Sequence, residues 1–99
     1  MLPEKQKQDF LNFYKTARYN DILDKKTSLL IHTAAAMAVG CYPWMKMYLG
    51  VAKEEGISKE ELGAVQAIVM AVSGGRVMLQ VKDAEGRGGD VDDVGTCEC

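Results

Sequence analysis

The stretch "GCYPWMKMY", residues 40–48, contains the side chain best suited to covalent chemistry in this chain, Cys41. It follows Gly40, a residue that ends helices, and precedes Pro43, which suits the first turn of a new helix. A thiolate there would face free backbone N–H groups and the positive end of the helix dipole, which both favour the ionised, nucleophilic form. The alternative is a structural cysteine, since free cysteine packs well in cores. The residues alone leave both interpretations open.

Three further side chains are candidates for the same site. Trp44 and Tyr48 lie on the helical stripe that begins at Cys41, so they form either an aromatic pocket wall with a proton-donating phenol or ordinary core or interface packing. His32 is the only histidine. It lies in an apolar helix, where it is either a proton shuttle for the thiol or a core histidine with a satisfied hydrogen bond.

Two more cysteines, Cys97 and Cys99, stand near the end of the sequence. One interpretation is a resolving thiol that attacks an oxidised Cys41 of the same or a neighbouring chain. The others are two soft ligands of an incomplete metal site, or an inert tail. A disulfide within the pair is disfavoured because so small a ring is strained. Because two cysteines alone make an incomplete metal site, we expect no resident metal and no cofactor.

Helical periodicity predicts the elements that position these residues. The first helix is predicted over residues 3–19 and the second from the N-cap Asp24 to about Val39. The third runs from Pro43 to Gly56, and a capping box at residues 58–61 opens the fourth. The sequence "SGG", residues 73–75, should weaken that helix, so "RVMLQV" either resumes as a short helix or leaves as an extended arm. The fold class is therefore all-α, with about four to five helices.

Composition divides the 99 residues into a helical domain, 1–82, and an acidic, glycine-rich tail, 83–99, which we expect to be flexible on its own. The domain has 11 Lys or Arg against 8 Asp or Glu, and the tail has one arginine against six acids. No concentrated basic face exists, which argues against nucleic acid as the partner. The first ten residues do not resemble a signal peptide, and the apolar runs are too short or interrupted for a convincing membrane span. We expect a cytoplasmic protein with no membrane partner.

The segment "LDKKTSLLIHTAAAMAVGCYPWMKMYLGVAKEEGISKEELGAVQAIVMAVSGGRVM", residues 23–78, resembles the carboxymuconolactone decarboxylase and alkylhydroperoxidase D-like family. The resemblance rests on the "LDKKT" opening, the alanine-rich helix ending in Gly-Cys, and the "EGISKEEL" entry into an apolar helix. It implies an all-helical domain built for oligomerisation, as a trimer or hexamer. This agrees with the alanine-rich helices, which let other helices approach closely.

The peroxidase branch of that family uses a Cys-x-x-Cys pair, with a histidine after it and a glutamate before it. By position only the first cysteine is matched, by Cys41. The second falls on Trp44, the histidine on Tyr48 and the glutamate on Leu29. The decarboxylase branch is poorly matched as well, because the sequence shows no cationic cluster near Cys41 beyond Lys46.

Two functional hypotheses remain. The first is a peroxiredoxin-type oxidoreductase in which Cys41 alone attacks a small peroxide or disulfide and Cys97 or Cys99 resolves it. In this hypothesis Trp44 and Tyr48 shape the pocket, and His32 is a weaker candidate for proton transfer. The second is a non-catalytic oligomeric family member in which Cys41 is structural and the Cys-x-Cys tail binds a metal or a partner.

Overall fold

The computed structural model describes residues 1–86, which form four α-helices and, over that range, no strand. They are α1 (Glu4–Arg18), α2 (Lys25–Val39), α3 (Tyr42–Glu54) and α4 (Lys59–Gly86). The all-α prediction is confirmed, and each predicted helix start lies within one residue of the observed start.

Local capping explains where α2 and α4 begin. The Asp24 carboxylate accepts a hydrogen bond from the Thr27 amide at 3.4 Å, which satisfies one free N–H of the first turn of α2. At α4 the Ser58 hydroxyl accepts from the Glu61 amide at 3.1 Å, and the Glu61 carboxylate accepts from the Ser58 amide at 3.2 Å. The predicted capping box is therefore present.

Two glycines with positive φ end the middle helices. Gly40 has φ 71° and its amide donates to the carbonyls of Ala36 and Met37, which closes α2. Gly56, with φ 77°, follows the end of α3. L-residues with a side chain rarely adopt this left-handed conformation, so glycine suits both turns.

The fourth helix differs from the prediction. α4 continues without a break through Ser73, Gly74 and Gly75, and through the expected tail boundary at residue 83, to Gly86. Each interior glycine costs roughly 1 kcal/mol relative to alanine. The valine, methionine, leucine and alanine residues around them propagate the helix cooperatively, and this outweighs the local weakness. The interrupted alternative, a short helix or an extended arm, is therefore wrong for these residues.

The core of the described chain is small and lies where α3 and the loop after it pack on α2. It consists of Leu29, Thr33, Ala36, Tyr48, Ala52 and Ile57. α4 packs beside α2 through side chains such as Leu62, yet none of its own residues is buried. α1 likewise has no buried residue. Two of the four helices therefore contribute little to the interior of a single chain.

The exposed length of α4 is strongly apolar. Its exposed large side chains are Ile68, Met70, Val72, Val77, Met78, Leu79 and Val81. By length and composition this helix could cross a membrane, although interface and core helices of soluble proteins share that property. The sequence predicts an interrupted apolar run, and the continuous helix removes this objection to a membrane span. The absence of a membrane partner stays a prediction.

Candidate functional site

A cavity of about 290 Å³ lies between α1, α2 and α3. Its walls come from three places: the last turns of α1, one side of α2, and the start of α3. The lining side chains are Tyr14, Arg18, His32, Ala35, Ala36, Val39, Cys41, Trp44 and Tyr48. Four of the six side chains nominated from the sequence thus line one cavity: Cys41, His32, Trp44 and Tyr48.

Cys41 is the N-cap residue of α3. Its amide donates to the carbonyl of Ala36 at 3.0 Å, and its carbonyl accepts from the amide of Met45 at 3.0 Å. Its side chain makes no capping hydrogen bond and the thiol is free and half-buried. The backbone on both sides of the sulfur is therefore held in place, while the sulfur itself borders the cavity.

Tyr48 lies one helical turn beyond Trp44 on α3 and is 6% exposed. Its hydroxyl accepts a hydrogen bond from Nη2 of Arg18 at 2.6 Å. Burial raises the pKa of the Tyr48 phenol above its ordinary value of 10.0, and the Arg18 charge opposes that rise only in part. Tyr48 is consequently a neutral phenol at physiological pH and retains a hydrogen that it can donate.

His32 is anchored to its own helix. Its Nδ1 lies 2.6 Å from the carbonyl oxygen of Ser28. A carbonyl oxygen only accepts, so Nδ1 carries the hydrogen and Nε2 is the lone-pair atom of the neutral ring. The ring packs on Tyr48 with centroids 5.3 Å apart. His32 therefore combines the two interpretations drawn from the sequence, because it is a satisfied, half-buried histidine that also borders the cavity.

Arg18 is the residue that sequence reasoning missed. Its guanidinium carbon lies 4.5 Å from the ring centroid of Trp44 and 4.9 Å from that of Tyr14. Nη1 donates to the Tyr14 hydroxyl at 2.9 Å, in addition to the bond from Nη2 to Tyr48. The cation in the cavity that Cys41 borders thus comes from α1, whereas the sequence pointed only to Lys46, which is exposed.

The pairing of Tyr14 and Arg18 has a signal in the sequence. The two residues are four apart at the end of α1, which places them on the same helical face. Nothing in the pattern shows that this face meets α3, because the amphipathic pattern of α1 does not name its partner helix and α1 buries no residue.

The other positions matched to the peroxidase motif have ordinary packing roles. Leu29 is 8% exposed and belongs to the core, and Trp44 is half-buried and packs against that core. No group of three or more metal-ligating side chains occurs among residues 1–86. Cys97 and Cys99 lie outside the described residues, so the predicted link between them and Cys41 stays a prediction.

Comparison with protein families matches residues 6–84 to the carboxymuconolactone decarboxylase family. This match begins before and ends after the segment, 23–78, whose motifs carried the resemblance. Neither the curated proteins nor the solved structures contain a match to the chain. The family match covers most of the sequence and agrees with the all-helical fold, so the chain belongs to the carboxymuconolactone decarboxylase family.

Proposed function

We propose that this protein is a thiol-dependent oxidoreductase in which Cys41 reacts with a small peroxide or disulfide. The observation that carries the proposal is the position of Cys41, a free thiol at the N-cap of α3 that borders a cavity lined by His32 and Tyr48. Helix N-termini are among the positions at which cysteines act as nucleophiles. Among residues 1–86, Cys41 is the only cysteine.

The reaction with a hydroperoxide is a two-electron oxidation of sulfur. The Cys41 thiolate attacks the terminal peroxide oxygen, so that a sulfur–oxygen bond forms and the oxygen–oxygen bond breaks. Cys41 becomes a sulfenic acid, and the departing alkoxide takes one proton and leaves as an alcohol. Two proton transfers accompany this step: the Cys41 thiol loses a proton, and the alkoxide gains one. Nε2 of His32 has a lone pair to accept the first, and Tyr48 has a hydrogen to donate in the second.

The resolving step requires a second thiol. Cys97 or Cys99, from the same or a neighbouring chain, attacks the sulfenic sulfur, so that a disulfide forms and water leaves. A dithiol reductant then exchanges with this disulfide and restores both cysteines. A reducing, cytoplasmic location is part of this proposal because it supplies such dithiols.

The first experiment measures the alkylation rate of Cys41 at neutral pH by mass spectrometry of the labelled peptides. We expect Cys41 in the folded protein to react about tenfold faster than in the same chain unfolded in urea, as a nucleophilic cysteine at a helix N-terminus should. Cys97 and Cys99 are labelled in the same sample and serve as internal references. A folded-state rate for Cys41 at or below the unfolded-state rate would refute the proposal.

The second experiment tests resolution. Mild peroxide treatment followed by non-reducing mass spectrometry should yield a Cys41–Cys97 or Cys41–Cys99 disulfide that is lost in Cys41→Ser. A stable sulfenic acid at Cys41 without either disulfide would support the reactivity of Cys41 but exclude Cys97 and Cys99 as resolving thiols.

The second candidate function is a non-catalytic oligomeric protein in which Cys41 only packs and the tail binds a metal or partner. The replacement of the family's second cysteine, histidine and glutamate by Trp44, Tyr48 and Leu29 favours it. Zinc retained by the wild type and lost in Cys99→Ser, together with a slow alkylation of Cys41, would support this candidate over the first.

We also propose that the protein is a homo-oligomer, a trimer or a hexamer. The accessible surface of the chain is 8154 Å², whereas a compact monomer of 10.8 kDa exposes about 5,500 Å². The exposed apolar side chains of α4 described above are part of this surface. A second copy that covers α4 would remove this surface from water. Light scattering of the wild type should give a mass of three or six chains. Val72→Glu places a charge on the apolar surface of α4 and should lower that mass.

A further inference from the structure

One side of α4 carries an apolar stripe with the spacing of a helix-pairing seam. Its positions alternate in steps of four and three residues, so they fall on the same side of the helix. All of them are exposed in the single chain, and none is charged. We call this stripe the α4 seam, and its residues are Gly63, Ala67, Met70, Gly74, Val77 and Val81.

Two glycines of the α4 seam have no role that the single chain explains. Gly63 and Gly74 lie inside a continuous helix, where glycine is a poor helix former. Neither has the positive φ that favours glycine. A Cβ atom added at either position would meet no atom within 4 Å, so no neighbouring element of the described chain requires glycine there. A glycine in such a place suits the close approach of a group from outside the chain.

The α4 seam is complementary to itself. We consider two copies of α4 that pack antiparallel and cross at position 72, so that seam positions face seam positions. The facing pairs are Gly63 with Val81, Ala67 with Val77, and Met70 with Gly74. Each pair joins a small residue to a large one, and this alternation fills the space between two helices. Each pair also occurs twice about a two-fold axis, as an interface between identical chains requires.

The exposed surface of α4 is sufficient for such an interface. A specific interface takes about 800 Å² from each partner, which is about a tenth of the 8154 Å² that the chain exposes. α4 is about 42 Å long and none of its residues is buried, so one of its sides can supply this area. Ile68, Val72 and Leu79 lie on the opposite side of α4 and stay available for other contacts.

We propose that the α4 seam is a two-fold interface at which α4 of a second copy of this chain packs antiparallel in that register. This inference rests on the proposed homo-oligomer and deepens it, because a two-fold seam joins chains in pairs. A hexamer of three pairs satisfies this requirement. A trimer does not, since three chains cannot all be paired.

Light scattering of the full chain tests the inference. Gly74→Met places a second large side chain opposite Met70 and should halve the mass from six chains to three. Combining Gly74→Met with Met70→Ala exchanges the small and the large partner of that pair and should restore six chains. Gly50→Met is the control and should leave the mass unchanged. Gly50 is an exposed glycine inside α3, and a Cβ added there also meets nothing within 4 Å.

A second variant keeps the result decisive if Gly74→Met does not fold. Ala67→Leu overfills the pair with Val77 and should also halve the mass, and circular dichroism should show that its helices are retained. A wild-type mass that neither variant changes, a wild-type trimer, or a double variant that does not restore six chains would each overturn the α4 seam and leave the homo-oligomer in place.

The remaining outcomes separate this inference from the proposed assembly. A wild-type dimer that Gly74→Met dissociates would support the α4 seam and overturn the trimer or hexamer. A wild-type monomer would overturn both. A monomer that also sediments with phosphatidylcholine vesicles would assign the apolar surface of α4 to a membrane instead.

Discussion

The hydrogen bond between Arg18 and Tyr48 connects α1 to the rest of the chain. α1 has no buried residue, and its side chains in the cavity are Tyr14 and Arg18. Tyr48→Phe removes the acceptor at 2.6 Å but retains the ring and its contact with Trp44. We expect this change to loosen α1 and to lower the free energy of unfolding.

The magnitude follows from the charge and burial of the partners. A hydrogen bond to a charged group is worth roughly 1.5–3 kcal/mol. Arg18 is only half-buried, so water replaces part of the lost bond, and we expect a loss of about 1–2 kcal/mol. Removing the acceptor leaves a donor of Arg18 unpaired inside the cavity, which is the physical source of the loss.

Urea denaturation at fixed protein concentration measures this change, since an oligomer's apparent stability depends on concentration. Tyr19→Phe is the matched control, because Tyr19 also stacks beside Arg18 at 5.2 Å but is 74% exposed. We expect its effect to stay within about 0.5 kcal/mol. Hydrogen exchange should show faster exchange in α1 for Tyr48→Phe alone. Equal stabilities of the two variants, or faster exchange in α4 rather than α1, would refute the reasoning.

Three further predictions concern capping and titration. Ser58→Ala should lower the free energy of unfolding by about 0.5–2 kcal/mol in urea denaturation, because it removes the acceptor for the Glu61 amide at the start of α4. The hydrogen bond from Lys26 lowers the pKa of Glu61 below 4.5. The stabilising effect of this hydrogen bond is therefore complete above pH 4.5 and is lost as the pH falls through the lowered pKa of Glu61. Lys26→Gln should consequently make the free energy of unfolding less dependent on pH in the acid range. Burial raises the pKa of Tyr48 above 10.0 against the opposing charge of Arg18, so Arg18→Gln should raise it further in an ultraviolet titration; a fall would contradict this account.

The sequence was sufficient for the elements whose signals are local. Asp24, Gly40, Ser58 and Glu61 mark the helix ends through hydrogen bonds and dihedral angles that involve only neighbouring residues. The family motifs also lie within one continuous segment. The break expected at Gly74 did not occur, because a helix propagates cooperatively across a locally weak position.

The site depended on contacts between distant residues. The helical stripe through Cys41, Trp44 and Tyr48 was visible in the sequence, and these side chains do line one cavity. Arg18 reaches Tyr48 across 30 positions of the sequence. The periodicity of α1 marks its apolar side but not the helix that this side meets, and α1 buries no residue.

By itself the sequence determined the helical class, the helix starts, the family and the position of Cys41 at a helix N-terminus, since all of these depend on local pattern. Only the tertiary structure decided that Arg18 lines the same cavity as Cys41, and that Tyr14 and Tyr48 share its donors. The physical reason is that a cavity is formed by the packing of separate helices. Its charge and shape depend on which faces meet, and that outcome is a property of the packed chain.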